Sequence, residues 1–126
     1  MKRKGILCFV KQEDKILLIQ VNYGDGKLIW NGVSGFVEFG EEIIKAVIRE
    51  VKEEIGVDVN VSSLMHKGTQ TVSDALDLEV FVATKWTGEP KPKEESIVGI
   101  GWFRIDNIPY GQMFPGNQDW LPTLLK

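Results

Sequence analysis

Apolar positions fall into short runs along this chain. Residues 5–10 and 15–20 are two apolar, β-branched stretches joined by Lys11-Gln12-Glu13-Asp14, a pattern that predicts a β-hairpin. A loop is predicted next, because Gly24, Gly26, Gly32 and Gly35 are spaced among polar residues around Leu28-Ile29-Trp30. From about Glu42 to Ile55 there is no Gly or Pro, and Ile44, Val47, Ile48, Val51 and Ile55 recur at helical spacing. At 100° per residue those five form one stripe, expected to face a sheet, and Gly56 ends the helix. Val57 to Val61, Leu76 to Thr84 and Ile97 to Ile105 read as strands. Pro90 and Pro92, set among charged residues, mark an exposed loop between the last two. The tail from Asp119 to Lys126 reads as a short helix that Pro122 begins or bends. Without an internal repeat or low-complexity linker, the expectation is one mixed α/β domain over residues 1–126.

Composition narrows the class without changing that outline. At 126 residues, 43% hydrophobic and 26% charged, the chain has an ordinary globular balance, which excludes disordered, collagenous and coiled-coil readings. Fifteen basic and 18 acidic side chains leave a net charge of -3, unsuited to gripping a nucleic-acid polymer by bulk charge. No apolar run is long enough to span a bilayer, so no membrane partner is expected. Met1-Lys2-Arg3-Lys4 imitates the start of a signal peptide, but the five apolar residues Ile6 to Val10 are too few for its hydrophobic region. With a lone cysteine, Cys8, sitting in an apolar run, the expected location is the reducing cytoplasm.

The polar side of the helix carries the candidate chemistry. Glu50, Glu53 and Glu54 stand at i, i+3 and i+4, within about 100° of arc, and like charges at that spacing repel. Such a cluster reads either as a solvated acidic face or as oxygen ligands for a hard divalent cation such as Mg²⁺. The surroundings favour the second reading. From Gly35 to Val57 the chain is G-x5-E-x7-R-E-U-x-E-E-x-G-U, where U is aliphatic. This resembles the Nudix box at every specified position, over residues 35–57. The resemblance implies the Nudix fold, an α/β (α+β) arrangement with a mixed sheet sandwiched between helices and a loop–helix–loop box. It also implies Mg²⁺- or Mn²⁺-dependent hydrolysis of a nucleoside diphosphate linked to another group. On that resemblance Glu50, Glu53 and Glu54 are metal ligands, joined by the backbone carbonyl of Ser34 beside Gly35. Glu53 or a loop carboxylate takes the proton from water. Arg49 is expected to pair with Glu53 at i+4, and Glu41 to orient the box loop. A further ligand carboxylate is Glu94 or Glu95, both of which also read as plain exposed loop acids.

Outside the box the chain is similar to the MutT-like, oxidised purine nucleoside triphosphatase branch of that family. The likeness rests on Trp30-Asn31-Gly32, on Trp102-Phe103 with Ile108-Pro109, and on Met113-Phe114-Pro115 through Trp120-Leu121-Pro122. It implies base reading by Asn31 and stacking on Phe114 and Trp120. Two adjacent Asp residues of that branch are replaced here by Gly116 and Asn117, and Asn117 is similar in place to the base-reading Asn of bacterial MutT. Trp30, Trp102 and Trp120 also read as core aromatics, and Asn31 as a turn residue. Val72 and Ser73 stand where an ADP-ribose-type member tends to have Pro. His66, the one histidine, has no Cys or second His nearby and is not expected to bind metal. The resemblance thus implies a cytoplasmic nucleotide-pool sanitiser, a monomer or homodimer, cleaving the α–β anhydride of purine triphosphates. The alternatives are hydrolysis of an ADP-sugar, dinucleotide or pyrimidine triphosphate, or a non-catalytic nucleotide-binding module.

Overall fold

In a computed structural model, residues 2–125 are described. Strands β1 (Arg3–Gln12) and β2 (Lys15–Asn22) form the predicted hairpin, turning at Glu13-Asp14. The glycine-rich segment expected to be a loop instead holds two strands, β3 (Leu28–Asn31) and β4 (Val33–Phe36). Each has four residues, so neither shows the alternation that identifies a strand in sequence. Helix α1 (Ile43–Ile55) follows, ended by Gly56 in the left-handed conformation at φ 77°. Next come β5 (Asp58–Val59), β6 (Leu64–Ser73), β7 (Leu76–Ala83), β8 (Trp86–Thr87) and β9 (Ile97–Arg104). The chain ends in α2 (Asn117–Leu124), with Pro122 inside it. Lys126 of the predicted tail, and Met1 of the signal-like start, lie outside the described residues.

The sheet is mixed. β1 runs parallel to β7, antiparallel to β4 through Gly5–Cys8 and antiparallel to β2 at its far end, while β9 lines β2 and β6 lines β7. The β1 run Ile6–Val10 is apolar at every position because both of its faces are covered. On one face Ile6, Cys8 and Val10 meet Ala46, Val47, Val51 and Ile55 of α1. On the other, Leu7 and Phe9 join Val80, Val82, Leu121 and Leu125 beneath α2. Each fully buried Val or Ile contributes about 1.5–3 kcal/mol. Cys8 lies in the first core, where burial pushes its thiol up to about 12.

The buried stripe of α1 is rotated from the expected one. Ile44, in the first turn, is 42% exposed, and Ala46 and Glu54 join Val47, Val51 and Ile55 on the buried face. On the helical wheel the buried arc is centred between Ala46 and Val51, so it sweeps in the edge that carries Glu50 and Glu54. Apolarity alone places the stripe one step too far, because it does not credit a carboxylate with an inward position. Of strand β6 the sequence shows only Met65-His66-Lys67, which read as a strand or turn. The strand lies at the sheet edge, is exposed at most positions and has few apolar residues to mark it. Among the described residues no helix is long and apolar enough to cross a membrane.

Candidate active site

The site begins at the box loop, residues 36–42, which folds back onto α1 and is held there by Arg49. The Arg49 guanidinium donates to Glu41 through Nε at 2.8 Å and Nη2 at 3.0 Å, and Nη2 also donates to the Phe36 carbonyl at 3.0 Å. Nη1 donates to Glu50 Oε1 at 2.7 Å and to Glu53 Oε2 at 3.3 Å. The expected i+4 partner is thus in contact, but the shorter bonds go to Glu41 and Glu50. Glu41 also accepts from the Glu38 backbone N–H at 3.0 Å. The Arg49 hydrogen bonds, backed by that amide, hold the Glu41 carboxyl down at about 2, and Glu41 in turn raises the Arg49 guanidinium. One fork-shaped cation therefore fixes the loop to the helix and aims a carboxylate at the same time.

The three glutamates of α1 do not share one environment. Glu53 is 51% exposed on its side chain. Glu50 turns inward over β4, and a Cβ added to Gly35 would collide with its carboxyl group. Glu54 goes deepest: only 9% of it is exposed, and its Oε2 is buried without a hydrogen-bond partner among the described residues. Burial, reinforced by the charges of Glu50 and Glu94, pushes the Glu54 carboxyl up to about 9. Glu50 is also raised, by burial first. Among the described residues no three acidic, His or Cys side chains converge in metal-ligand geometry. Glu50 and Glu54 come together, while Glu53 stands outside them beside Arg49.

The loop before β9 docks on the C-terminal end of α1. Lys91 N–H donates to the Ile55 carbonyl at 3.0 Å and Lys93 N–H to the Glu54 carbonyl at 2.9 Å, satisfying acceptors left open at the helix end. Gly56 is required there, since its φ is positive and a Cβ would lie 2.6 Å from the Lys93 side chain. This docking brings the Glu94 charge to bear on Glu54. Glu94 and Glu95 are both exposed.

Beside the acids opens a cleft of about 720 Å³ between the sheet and the start of α2. Asn31, Phe114, Asn117 and Trp120 all line it, and Ser34 and Gly35 form its end nearest Glu50. Asn31 is buried; its side-chain oxygen accepts from the Gly32 N–H at 2.9 Å and its amide donates to the Tyr23 hydroxyl at 3.4 Å. The turn-capping role thus coexists with a place in the wall. Leu7 and Leu78 line the cleft from the sheet, leaving it largely apolar.

Two of the candidate aromatics lie elsewhere. Trp30 packs edge-on against Phe103 at 4.9 Å in the α2-side core, and Trp102 stacks on Trp86 at 5.9 Å. His66 sits on β6, bonded to the buried Glu79 at 2.8 Å, with Thr69 donating to the same oxygen at 2.7 Å.

Sequence reasoning missed several lining residues: Tyr23, Asp119 and the β6 residues Gln70, Thr71 and Val72. Tyr23 had one legible signal, an aromatic at a strand end just before Gly24. The β6 residues had none, because they reach the cleft only through pairing with β7.

The NUDIX domain profile matches residues 1–124. An oxidized purine nucleoside triphosphate hydrolase of Danio rerio is 33% identical over 126 residues, covering 95% of this chain and 78% of the relative. An NAD-capped RNA hydrolase NudC of Pseudomonas aeruginosa is 37% identical over 107 residues, which are 83% of this chain but only 37% of that protein. Among solved structures, one from work on MutT of Aliivibrio salmonicida and Vibrio cholerae superposes with a TM-score of 0.83. It covers 99% of this chain and 97% of its own at 22% identity, a likeness of fold.

Proposed function

The chain belongs to the Nudix family and is a MutT-like Nudix hydrolase, and from that premise we propose that it is a divalent-metal-dependent pyrophosphohydrolase of purine nucleoside triphosphates. The bond cleaved is the α–β anhydride, the products are the monophosphate and pyrophosphate, and oxidised purines such as 8-oxo-dGTP are among the substrates. The observation that carries this reading is the continuity of the cleft: its walls run from Trp120 and Asn117 to Ser34 and Gly35, directly beneath the Glu50 carboxyl. A base held at one end leaves its phosphates at the other, among the acids.

The acid pair fits a hard dication. A buried carboxylate oxygen without a partner, next to a second raised carboxyl, is costly in the absence of a counter-charge, and oxygen donors of this kind suit Mg²⁺ or Mn²⁺. Glu50, Glu53, Glu54 and the Ser34 carbonyl would hold the ion, with Glu94 as the loop carboxylate. Once bound, Mg²⁺ or Mn²⁺ neutralises phosphate charge and acidifies a water. The remaining work belongs to side chains. Arg49 fixes the Glu50 rotamer and ties down the loop. Glu53, facing solvent, takes the proton from the attacking water. Phe114 and Trp120 hold the two faces of the purine, while Asn31 and Asn117 read its edge. Neutral amides both donate and accept, so this reading does not depend on the protonation of an acid.

A second reading, a dinucleotide such as NAD or its capped RNA, is favoured by the identity to NudC. The net charge of -3 opposes a polymer partner. The experiment is a panel of oxidised and ordinary purine triphosphates, pyrimidine triphosphates, ADP-ribose and NAD with Mg²⁺, scored for pyrophosphate against phosphate release. Pyrophosphate from purine triphosphates at the highest kcat/KM is expected, with Glu53→Gln slower by orders of magnitude but equally folded. Preferential cleavage of NAD or ADP-ribose would replace the first reading. No release from any compound would favour a binding module.

A further inference from the structure

Tyr23 lines the cleft together with Asn31, Ser34 and Phe114. It follows β2, where the Asn22 side chain accepts from the Gly24 N–H at 2.9 Å and Gly24 takes φ 99°, a turn that swings the ring off the strand. The ring packs against Phe114 with centroids 5.3 Å apart and planes inclined at 59°. Its hydroxyl accepts from the Asn31 amide at 3.4 Å, and the same cavity wall continues to Ser34 and Gly35. The residue is nevertheless 47% exposed and lines the cavity, so one face of the phenol remains free.

A nucleotide has one component between its base and its phosphates, the sugar. With the base among Asn31, Asn117 and Trp120 and the phosphates at Glu50 and Glu54, a residue that bonds Asn31 and shares the cavity wall with Ser34 and Gly35 stands beside that ring. Since the Asn31 amide donates to the phenol oxygen, the phenol proton is available to a ligand. We infer that Tyr23 is a substrate-positioning residue whose hydroxyl hydrogen-bonds a hydroxyl of the nucleotide sugar and whose ring walls off the sugar's apolar edge. The inference rests on the nucleotide reading above. It makes this residue a determinant of sugar preference, separate from the groups that read the base or hold the metal.

The test pairs Tyr23→Phe with removal of the sugar hydroxyls. The Phe variant keeps the ring and its contact with Phe114, and thermal unfolding checks that it folds. Ribo-, 2′-deoxy- and 2′,3′-dideoxy forms of the wild type's best triphosphate substrate are compared by KM and kcat. Their non-hydrolysable α,β-methylene analogues are titrated against tryptophan fluorescence. One neutral hydrogen bond corresponds to about a 3- to 10-fold loss. That loss is expected in KM and in analogue affinity for the forms carrying the hydroxyl, with kcat within about two-fold and no loss for the dideoxy form. An equal loss for all three sugars, or no loss in a protein that hydrolyses triphosphates normally, overturns the inference. A wild type that neither cleaves nor binds any triphosphate fails earlier, at the nucleotide reading itself.

Discussion

Glu54 couples folding, protons and metal through one buried carboxyl. Its pKa is raised from 4.5 to about 9 by burial and by the neighbouring acids, so the folded protein binds a proton that the unfolded chain releases near its ordinary value. The metal-free protein therefore gains its full Glu54 contribution below about pH 4.5 and loses it as pH rises toward 9. The slope is at most about 1.4 kcal/mol per pH unit for one proton. From pH 5 to pH 8 the limit is about 4 kcal/mol, or on the order of 10 °C in Tm for a domain of this size. Divalent cation opposes the trend, because it takes the place of the proton and binds more tightly as the proton leaves. Scanning calorimetry of metal-free protein between pH 5.5 and 8.5, with and without Mg²⁺ or Mn²⁺, reads both effects. The expected result is a Tm that falls with pH, a metal-induced rise that grows with pH, and release of about one proton per site on binding. Glu54→Gln should flatten the metal-free slope, raise Tm at pH 8 and abolish the metal response. Equal pH slopes and equal metal responses in variant and wild type would refute the argument.

Three other perturbations probe separate links. Gly35→Ala places a methyl where the Glu50 carboxyl lies, and displacing a reacting group by about 1 Å costs on the order of 100-fold; kcat should fall by that order with Tm within a few degrees, and unchanged kinetics would mean Glu50 need not occupy this position. Since Arg49 holds Glu41 down at about 2, their pairing is intact above about pH 4.5 and is lost as pH falls toward 2. Glu41→Gln should thus lower Tm at pH 7, and the gap to wild type should shrink to about a quarter by pH 2.5 in acid melts. Trp120→Ala should raise KM for purine triphosphates by roughly 5- to 100-fold, the range of about 1–3 kcal/mol for base–aromatic stacking; an unaltered KM in steady-state assays would remove Trp120 from the base site.

Much of this architecture was readable in the chain because its causes are local. The hairpin, the helix ended by Gly56 and strands β7 and β9 follow from runs of apolar residues and from glycine placement, which act over a few residues. The trio of glutamates on one helix is fixed in the same way by i, i+3, i+4 spacing. Segments whose order comes from partners far along the chain were not readable. β3 and β4 are strands because β2 and β1 pair with them, and β6 because β7 does. Their own side chains carry too little pattern to show it.

The same division holds at the site. The amino-acid sequence by itself determined that three carboxylates and Arg49 share a helix turn, that a glycine precedes them, and that Asn31, Phe114, Asn117 and Trp120 are available nearby in type. Only the tertiary structure decided that Arg49 bonds Glu41 and Glu50 more closely than Glu53, and that Glu54 is buried while Glu53 is wet. It alone brought Tyr23 into the cleft wall, bonded to Asn31 and packed on Phe114. The physical reason is that helix periodicity fixes angles around an axis, whereas burial, dielectric and hydrogen-bond partnership depend on which surfaces the rest of the chain brings against that axis.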